Sequence, residues 1–147
     1  MIPKKLTAWL ILLIIILVLS FGSAATTFSR MDQVFQSYRA DHPDVVTALM
    51  IYKLLGGAGI CASLYTAWVL FRKVPGTLRL AKIFLIVRCV LIIASGFSVP
   101  LLAGLSPEAT QRMIGQATYG SLISIVFTVI WFTYLSKSNK VAEIYSA

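Results

Sequence analysis

Four long apolar blocks dominate the pattern of hydrophobic and polar positions along the chain. They cover roughly residues 6–24, 48–71, 80–103 and 113–135, and apolar residues follow one another within them without a sustained strand or helix period. A helix needs about 20 such residues to cross the hydrocarbon of a bilayer. The pattern therefore predicts an all-α integral membrane protein with four transmembrane helices, in a single domain over residues 1–147.

The first block also resembles a secretory signal, because two lysines precede its apolar run and the small residues Ser23, Ala24 and Ala25 follow it. Its apolar run is long for the core of a signal peptide. We therefore expect this helix to be retained as the first span, while cleavage would leave three spans.

The distribution of charge predicts the orientation in the membrane. The chain has 13 Lys and Arg against 5 Asp and Glu, and the charges cluster between the apolar blocks. With both termini in the cytoplasm, eight basic residues lie on the inner side: Lys4, Lys5, Arg72, Lys73, Arg79, Lys82, Lys137 and Lys140. Only Arg30, Arg39 and Arg112 then lie outside. The positive-inside rule therefore predicts cytoplasmic termini. The last six of the inner basic residues, from Arg72 to Lys140, are expected to contact anionic headgroups of the inner leaflet rather than nucleic acid.

The segment between the first two blocks has a helical pattern of its own. Phe28, Met31, Phe35 and Tyr38 recur at steps of three and four residues and would share one face of a helix. We predict a short external amphipathic helix here. It could be a cap over the bundle or a docking surface for another protein.

Small residues form two seams that would allow close helix packing. In the second block Gly59, Ser63 and Ala67 recur every four residues. We expect leucine at Gly59 or Ser63 to disrupt packing more than leucine at Val69, whose face is expected to contact lipid. The fourth block carries a similar seam that begins with Ala117 and Ser121 and continues to Ser124 and Thr128.

Arg88 stands inside the third apolar block, where a guanidinium keeps its charge. If the hydrocarbon begins near Ile83, Arg88 lies about 8 Å deep. The four blocks contain no carboxylate, but five hydroxyls are expected at a comparable depth: Ser63, Tyr65, Thr66, Ser124 and Thr128. Three interpretations remain open, of which a lipid-phosphate anchor is favoured. The others are a carboxylate from another membrane subunit and an anionic headgroup or small anion.

Three segments resemble a known family: LTAWLILLIIILVLS, YTAWVLFRKVPGTLRLAKIFLI and IWFTYLSKSNKVAEIYSA. They are similar to the bacterial four-helix membrane proteins of the domain of unknown function 2569 family. The matching positions are Trp9, Pro75, Trp131, Tyr134, Ser138, Lys140 and Val141. Ala8 stands where the family usually has glycine, and Asn139 where a basic residue is common. The resemblance implies a bacterial inner membrane and four helices, and it implies no activity.

The residues argue against catalysis. The blocks contain no Asp, Glu or His, and the single histidine, His42, lies outside them. Cys61 and Cys89 have no CxxC partner and are expected to be small core residues. We therefore expect no enzyme activity, no cofactor and no metal site.

The leading functional hypothesis is a non-catalytic accessory, assembly or stabilising subunit that binds another membrane protein or a second copy of itself. The alternative is an oligomeric channel or transporter that binds a small anion or a lipid headgroup. The channel or transporter would bind its ligand through Arg88. The accessory subunit would bind its partner through the small-residue seams, Arg88 or the external helix.

Overall fold

The computed structural model describes residues 6–146, and all regular secondary structure in that range is helical. Five helices follow one another: α1 (Ala8–Phe35), α2 (Pro43–Arg72), α3 (Thr77–Leu102), α4 (Pro107–Lys137) and α5 (Asn139–Tyr145). The first four are long and apolar enough to cross a membrane. The prediction of a multi-pass helical membrane protein is confirmed at this level.

The predicted separate external helix is wrong, because its residues belong to α1 and to the turn that follows. The α1 helix continues without a break to Phe35, well past the predicted end of the first span. Phe28 packs edge-on against Tyr52 of α2 with ring centroids 5.4 Å apart. Lys53 of α2 contacts the carboxylate of Asp32 at 2.5 Å. These contacts keep the segment packed against α2.

Local signals set the ends of the other helices. Pro43 opens α2, and His42 occupies the N-cap position without a side-chain hydrogen bond. Ser106 caps α4, because its hydroxyl accepts a hydrogen bond from the N–H of Ala109 at 3.4 Å. The turn between α2 and α3 contains Gly76 with a φ of 80°, a conformation that glycine adopts without steric cost.

Helices α1 to α4 alternate in direction, and each packs mainly on its neighbour in the chain. Gly59 is buried between α2 and α3, where an added Cβ would lie 3.5 Å from Ile92 and 3.6 Å from Leu91. An added Cβ at Gly96 would lie 3.6 Å from Ala117 of α4. Both seams therefore lie at contacts within the chain.

One position in the packing prediction is wrong. Val69 is only 4% exposed and belongs to the core, so its face does not contact lipid. Cys89 is buried as expected, but Cys61 is exposed. Residue type alone did not separate these faces, because α2 is apolar around most of its circumference.

The main core lies at the end of the bundle where α1 begins and α2 ends. Three leucines of α1 are fully buried there: Leu10, Leu13 and Leu17. The short helix α5 folds against them and buries Val141, Ile144 and Tyr145 in the same cluster. These residues lie beyond the last predicted span, and the sequence analysis predicted no helix for them. The hydroxyl of Tyr145 donates to the carbonyl of Leu70 at 2.5 Å, near the end of α2.

Basic residues gather at this same end, which we call the basic end. It carries six of the residues expected at lipid headgroups, in the α2–α3 hairpin and around the end of α4: Arg72, Lys73, Arg79, Lys82, Lys137 and Lys140. Lys4 and Lys5 lie outside the described residues. The guanidinium of Arg72 lies 4.4 Å from the centre of the Trp68 ring. A cation above an exposed aromatic ring is typical of a membrane interface.

Candidate functional site

A cleft with a mostly apolar lining opens between α1, α2 and α3, above the core at the basic end. Its volume is about 220 Å³. Six hydroxyl-bearing residues and one arginine supply its polar surface: Ser20, Ser23, Thr27, Tyr52, Ser63, Ser95 and Arg88. No residue of α4 lines it among those described. A cluster of this kind within membrane-spanning helices is a candidate functional site.

Arg88 is the only charged residue that lines the cleft in the described part of the chain. Its Nε donates to the hydroxyl of Ser63 at 2.7 Å. Its guanidinium carbon lies 4.9 Å from the centre of the Phe127 ring on α4. The Nη1 atom is buried and has no hydrogen-bond partner among the described residues. One donor of the guanidinium is therefore satisfied by the protein while Nη1 is not.

Arg88 lies near the middle of α3. It follows Thr77, the first residue of the helix, by 88 − 77 = 11 residues, which corresponds to about 16 Å along the axis. The sequence analysis favoured a side chain that reaches lipid phosphate from near the membrane surface. The hydrogen bond to Ser63 and the stacking on Phe127 direct the guanidinium into the bundle instead.

The structure brings one of the five predicted hydroxyl residues to Arg88, namely Ser63. Tyr65 is 40% exposed and packs beside Phe84, with ring centroids 4.7 Å apart. Ser124 donates to the sulfur of Cys89 at 3.7 Å. Thr128 is buried, and its hydroxyl has no partner among the described residues. Thr66 donates to the carbonyl of Ala62 at 2.7 Å. Tyr65 is two residues from Ser63, so its side chain points to another side of α2.

The carboxylate nearest to the cleft along α1 is that of Asp32, five residues past Thr27, at the end of the cleft away from Arg88. Asp32 pairs with Arg39 and Lys53 near the end opposite to the basic end. Neither of these ion pairs includes Arg88. The charge of Arg88 is thus uncompensated by any acidic side chain of the described chain.

The sequence analysis missed the α1 side of the cleft. Ser20, Ser23 and Thr27 follow one another at steps of three and four residues and share a helix face. That spacing was a usable signal, but we ended the first span at residue 24. Gly56 also contributes, since a Cβ there would lie 2.8 Å from the Phe28 ring. Glycine leaves space beside Phe28 that any other residue would fill.

Two further hollows lie elsewhere on the bundle. One of about 520 Å³ lies at the end opposite to the basic end, and it is lined by residues such as Phe35, Leu105 and Arg112. Another of about 240 Å³ lies between α3 and α4, beside Ile86 and Thr128. Among the described residues, neither hollow contains a buried charged atom that lacks a hydrogen-bond partner. The Arg88 cleft therefore has the stronger chemical signal for a ligand.

Comparison with known proteins adds a family to this description. Curated proteins and solved structures gave no match. A family sequence model matches residues 3–146, which is nearly the whole chain. This match confirms the resemblance seen in the three sequence segments. The chain belongs to the family described as protein of unknown function, DUF2569.

Proposed function

We propose that this chain is a non-catalytic membrane protein that holds an anionic group against Arg88. The observation that carries the proposal is the guanidinium itself, which has a buried Nη1 without a partner and no acidic side chain beside it. A charge in a low-dielectric site without a counter-charge is costly. A ligand with a negative group would supply both the counter-charge and the missing acceptor.

The chemistry of arginine narrows the ligand to a phosphate or a carboxylate. The planar guanidinium donates in parallel to two oxygens, and its bonds to ionised groups are about twice as strong as neutral ones. Nε is already bonded to Ser63. This bond fixes the plane of the guanidinium and so orients its remaining donors.

The proposed location is the bacterial inner membrane, with both termini in the cytoplasm. This orientation rests on the basic end, where Arg72, Arg79 and Lys137 gather at one end of the spans. The cleft then extends from Arg88 toward the outer half of the membrane, because Thr27 and Ser95 lie on the side away from the basic end. Fusions of topology reporters after Gln36 and at the C-terminus test this: the first should report outside and the second inside.

A second candidate function is that of an accessory, assembly or stabilising subunit. It is favoured by the hydroxyl of Thr128, which is buried without a partner and lies beside the hollow between α3 and α4. A polar side chain on the helix of another membrane protein, or of a second copy, could bond to it there. The small-residue seams support this candidate less than expected, because Gly59 and Ala117 lie at contacts within the chain.

The anion proposal is tested by thermal stability of the purified protein with increasing inorganic phosphate or acetate, at constant ionic strength. Binding to the folded state should raise the melting temperature. Arg88→Gln should abolish this rise, and Arg88→Lys should retain part of it, since an ammonium keeps the charge but lacks the fork. Val90→Ala, at an exposed position on the same helix, is the control. An undiminished rise in Arg88→Gln would refute the proposal.

The subunit candidate requires a separate experiment. The chain is isolated in mild detergent and the proteins that remain bound are identified by mass spectrometry. Thr128→Val removes the hydroxyl but keeps the shape, and it should release a specific partner. Thr118→Val, at an exposed position of α4 outside this hollow, should retain that partner. Equal recovery from both variants would remove Thr128 from the contact.

A further inference from the structure

The serine and threonine hydroxyls that line the cleft all use their protons within the chain. Each one donates to a backbone carbonyl, mostly one turn earlier in its own helix, at distances from 2.6 to 3.2 Å. The five residues are Ser20, Ser23, Thr27, Ser63 and Ser95. A hydroxyl that has donated its single proton still has two lone pairs. Apart from Tyr52, the hydroxyls of the cleft are therefore acceptors.

This pattern makes the two ends of the cleft chemically different. At one end Arg88 supplies donors and positive charge. Farther from the basic end, Ser23, Thr27 and Ser95 present oxygen lone pairs. A simple anion would satisfy Arg88 and leave these oxygens without a donor. Ser23 and Thr27 are exposed on α1, so a ligand that carries a donor as well as an anionic group can reach their oxygens.

We propose that the cleft binds an amphoteric group, in which a phosphate or carboxylate meets Arg88 and an ammonium or hydroxyl donor meets the oxygens of Ser23, Thr27 and Ser95. Arg88 and Ser95 are seven residues apart on α3, or about 10 Å along the axis. The cleft of about 220 Å³ is smaller than the roughly 300–1,000 Å³ of sites for drug-sized ligands. It therefore suits a compact polar group.

This inference rests on the proposed anion site. It adds that the ligand also carries a hydrogen-bond donor, which meets the hydroxyl oxygens of the cleft. Two sources carry the same chemistry: the headgroup of a phospholipid with a terminal amine, and a small soluble molecule such as a phosphorylated amino alcohol. For both sources, the test is whether a ligand with N–H donors binds more tightly than a ligand that has the same anionic group and no such donor.

Matched pairs of ligands provide that test. Phosphoethanolamine and phosphocholine share the phosphate and the positive charge, but the quaternary ammonium of phosphocholine has no N–H donor. The same difference separates short-chain phosphatidylethanolamine from phosphatidylcholine. We expect the purified protein to bind the ethanolamine member of a pair about tenfold more tightly, as judged by thermal stabilisation, because a hydrogen bond to a charged group is at stake. A preference in the soluble pair indicates a soluble ligand, and a preference in the lipid pair alone indicates a headgroup.

The double variant Ser23→Ala and Thr27→Ala should remove this preference. Both residues are exposed on α1, so the fold should tolerate the change. The matched control is Thr26→Ala with Ser29→Ala, at exposed positions of the same helix that do not line the cleft. The control should keep the preference for ethanolamine.

The outcomes separate this inference from the proposed function. Equal binding of both members of each pair, lost in Arg88→Gln, would overturn the amphoteric ligand and leave the anion site intact. Binding that persists in Arg88→Gln would overturn both. A preference that survives in Ser23→Ala with Thr27→Ala would also overturn the inference, because the donor would then bind elsewhere.

Discussion

The basic end of the bundle and the cleft above it share α1, α2 and α3 but differ in how these helices meet. At the basic end Leu13, Leu17 and Leu70 are fully buried, and α5 completes the cluster. From Ser20 onward, α1 presents serine and threonine to the facing helices. The helices there leave an open cleft of about 220 Å³ instead of a packed core.

The difference shows how two kinds of side chain use the same helix spacing. Leucines on facing helices fill the space between them and gain dispersion contacts. Serine hydroxyls return to the backbone of their own helix, as Ser20 does to Leu17 at 2.6 Å. They leave volume that only a side chain such as Arg88 or a ligand can occupy. Stability is therefore expected to reside at the basic end, and binding in the cleft.

The largest effect should follow from truncating the packed core. Leu17→Ala should destabilise the protein by about 2 to 5 kcal/mol, because it leaves a cavity at a fully buried position. Ser20→Ala, one turn further along α1, should cost less than about 0.5 kcal/mol, as is typical away from the core. Unfolding in mixed micelles with denaturing detergent measures both. Similar costs at the two positions would contradict the contrast between the regions.

The next effect concerns the close approach of α2 and α3. Gly59→Leu should cost about 1 to 3 kcal/mol by overpacking, because its Cβ position is already 3.5 Å from Ile92. Leucine at the exposed Val90 of α3 is the control. Val69 is unsuitable for that purpose because it is buried. If Gly59→Leu and Val90→Leu unfold alike, the close packing at Gly59 is unimportant for stability.

The attachment of α5 should depend on one hydroxyl. Tyr145→Phe removes the bond to the carbonyl of Leu70 and should cost about 1 kcal/mol. Burial raises the pKa of Tyr145 to about 12 from the ordinary tyrosine value of 10.0. Between these values the folded state keeps a proton that the unfolded state has lost, so this contribution is present below pH 10 and declines as the pH rises toward 12.

The readout is the difference in stability between the native protein and Tyr145→Phe across this pH range. Other groups that titrate there, such as lysines, are common to both proteins and cancel. A difference that stays constant from pH 10 to pH 12 would show that the hydroxyl is not buried against Leu70.

The smallest effect on stability should come from two adjacent glycines. Gly57 has open space at its Cβ position, so Gly57→Ala should stabilise α2 by up to about 1 kcal/mol through helix propensity. Gly56→Ala should gain less, because its methyl group would lie 2.8 Å from the Phe28 ring. It should also weaken anion-dependent stabilisation by filling the cleft. An anion response in Gly56→Ala equal to that in Gly57→Ala would show that the space beside Phe28 is not used.

Single residues show why the site was only partly predictable. Arg88 was identified from sequence because a charge within an apolar block is conspicuous. Ser63 was named with it from estimated depth, and the structure pairs the two at 2.7 Å. Tyr65 was named on the same argument and lies on an exposed face. Depth along a helix follows from counting residues, whereas the direction of a side chain depends on how each helix is rotated against its neighbours.

The sequence by itself determined the four long helices, the family and the concentration of basic residues in the same loops, because each follows from local composition over many residues. Tertiary structure decided that α1 continues to Phe35, that α5 closes the core through Tyr145, and that α1 faces the cleft with Ser20 and Ser23. In nearly uniform apolar helices the hydrophobic pattern does not specify which face is inside. Side-chain fit between helices selects that face, since lipid solvates the apolar surfaces equally well.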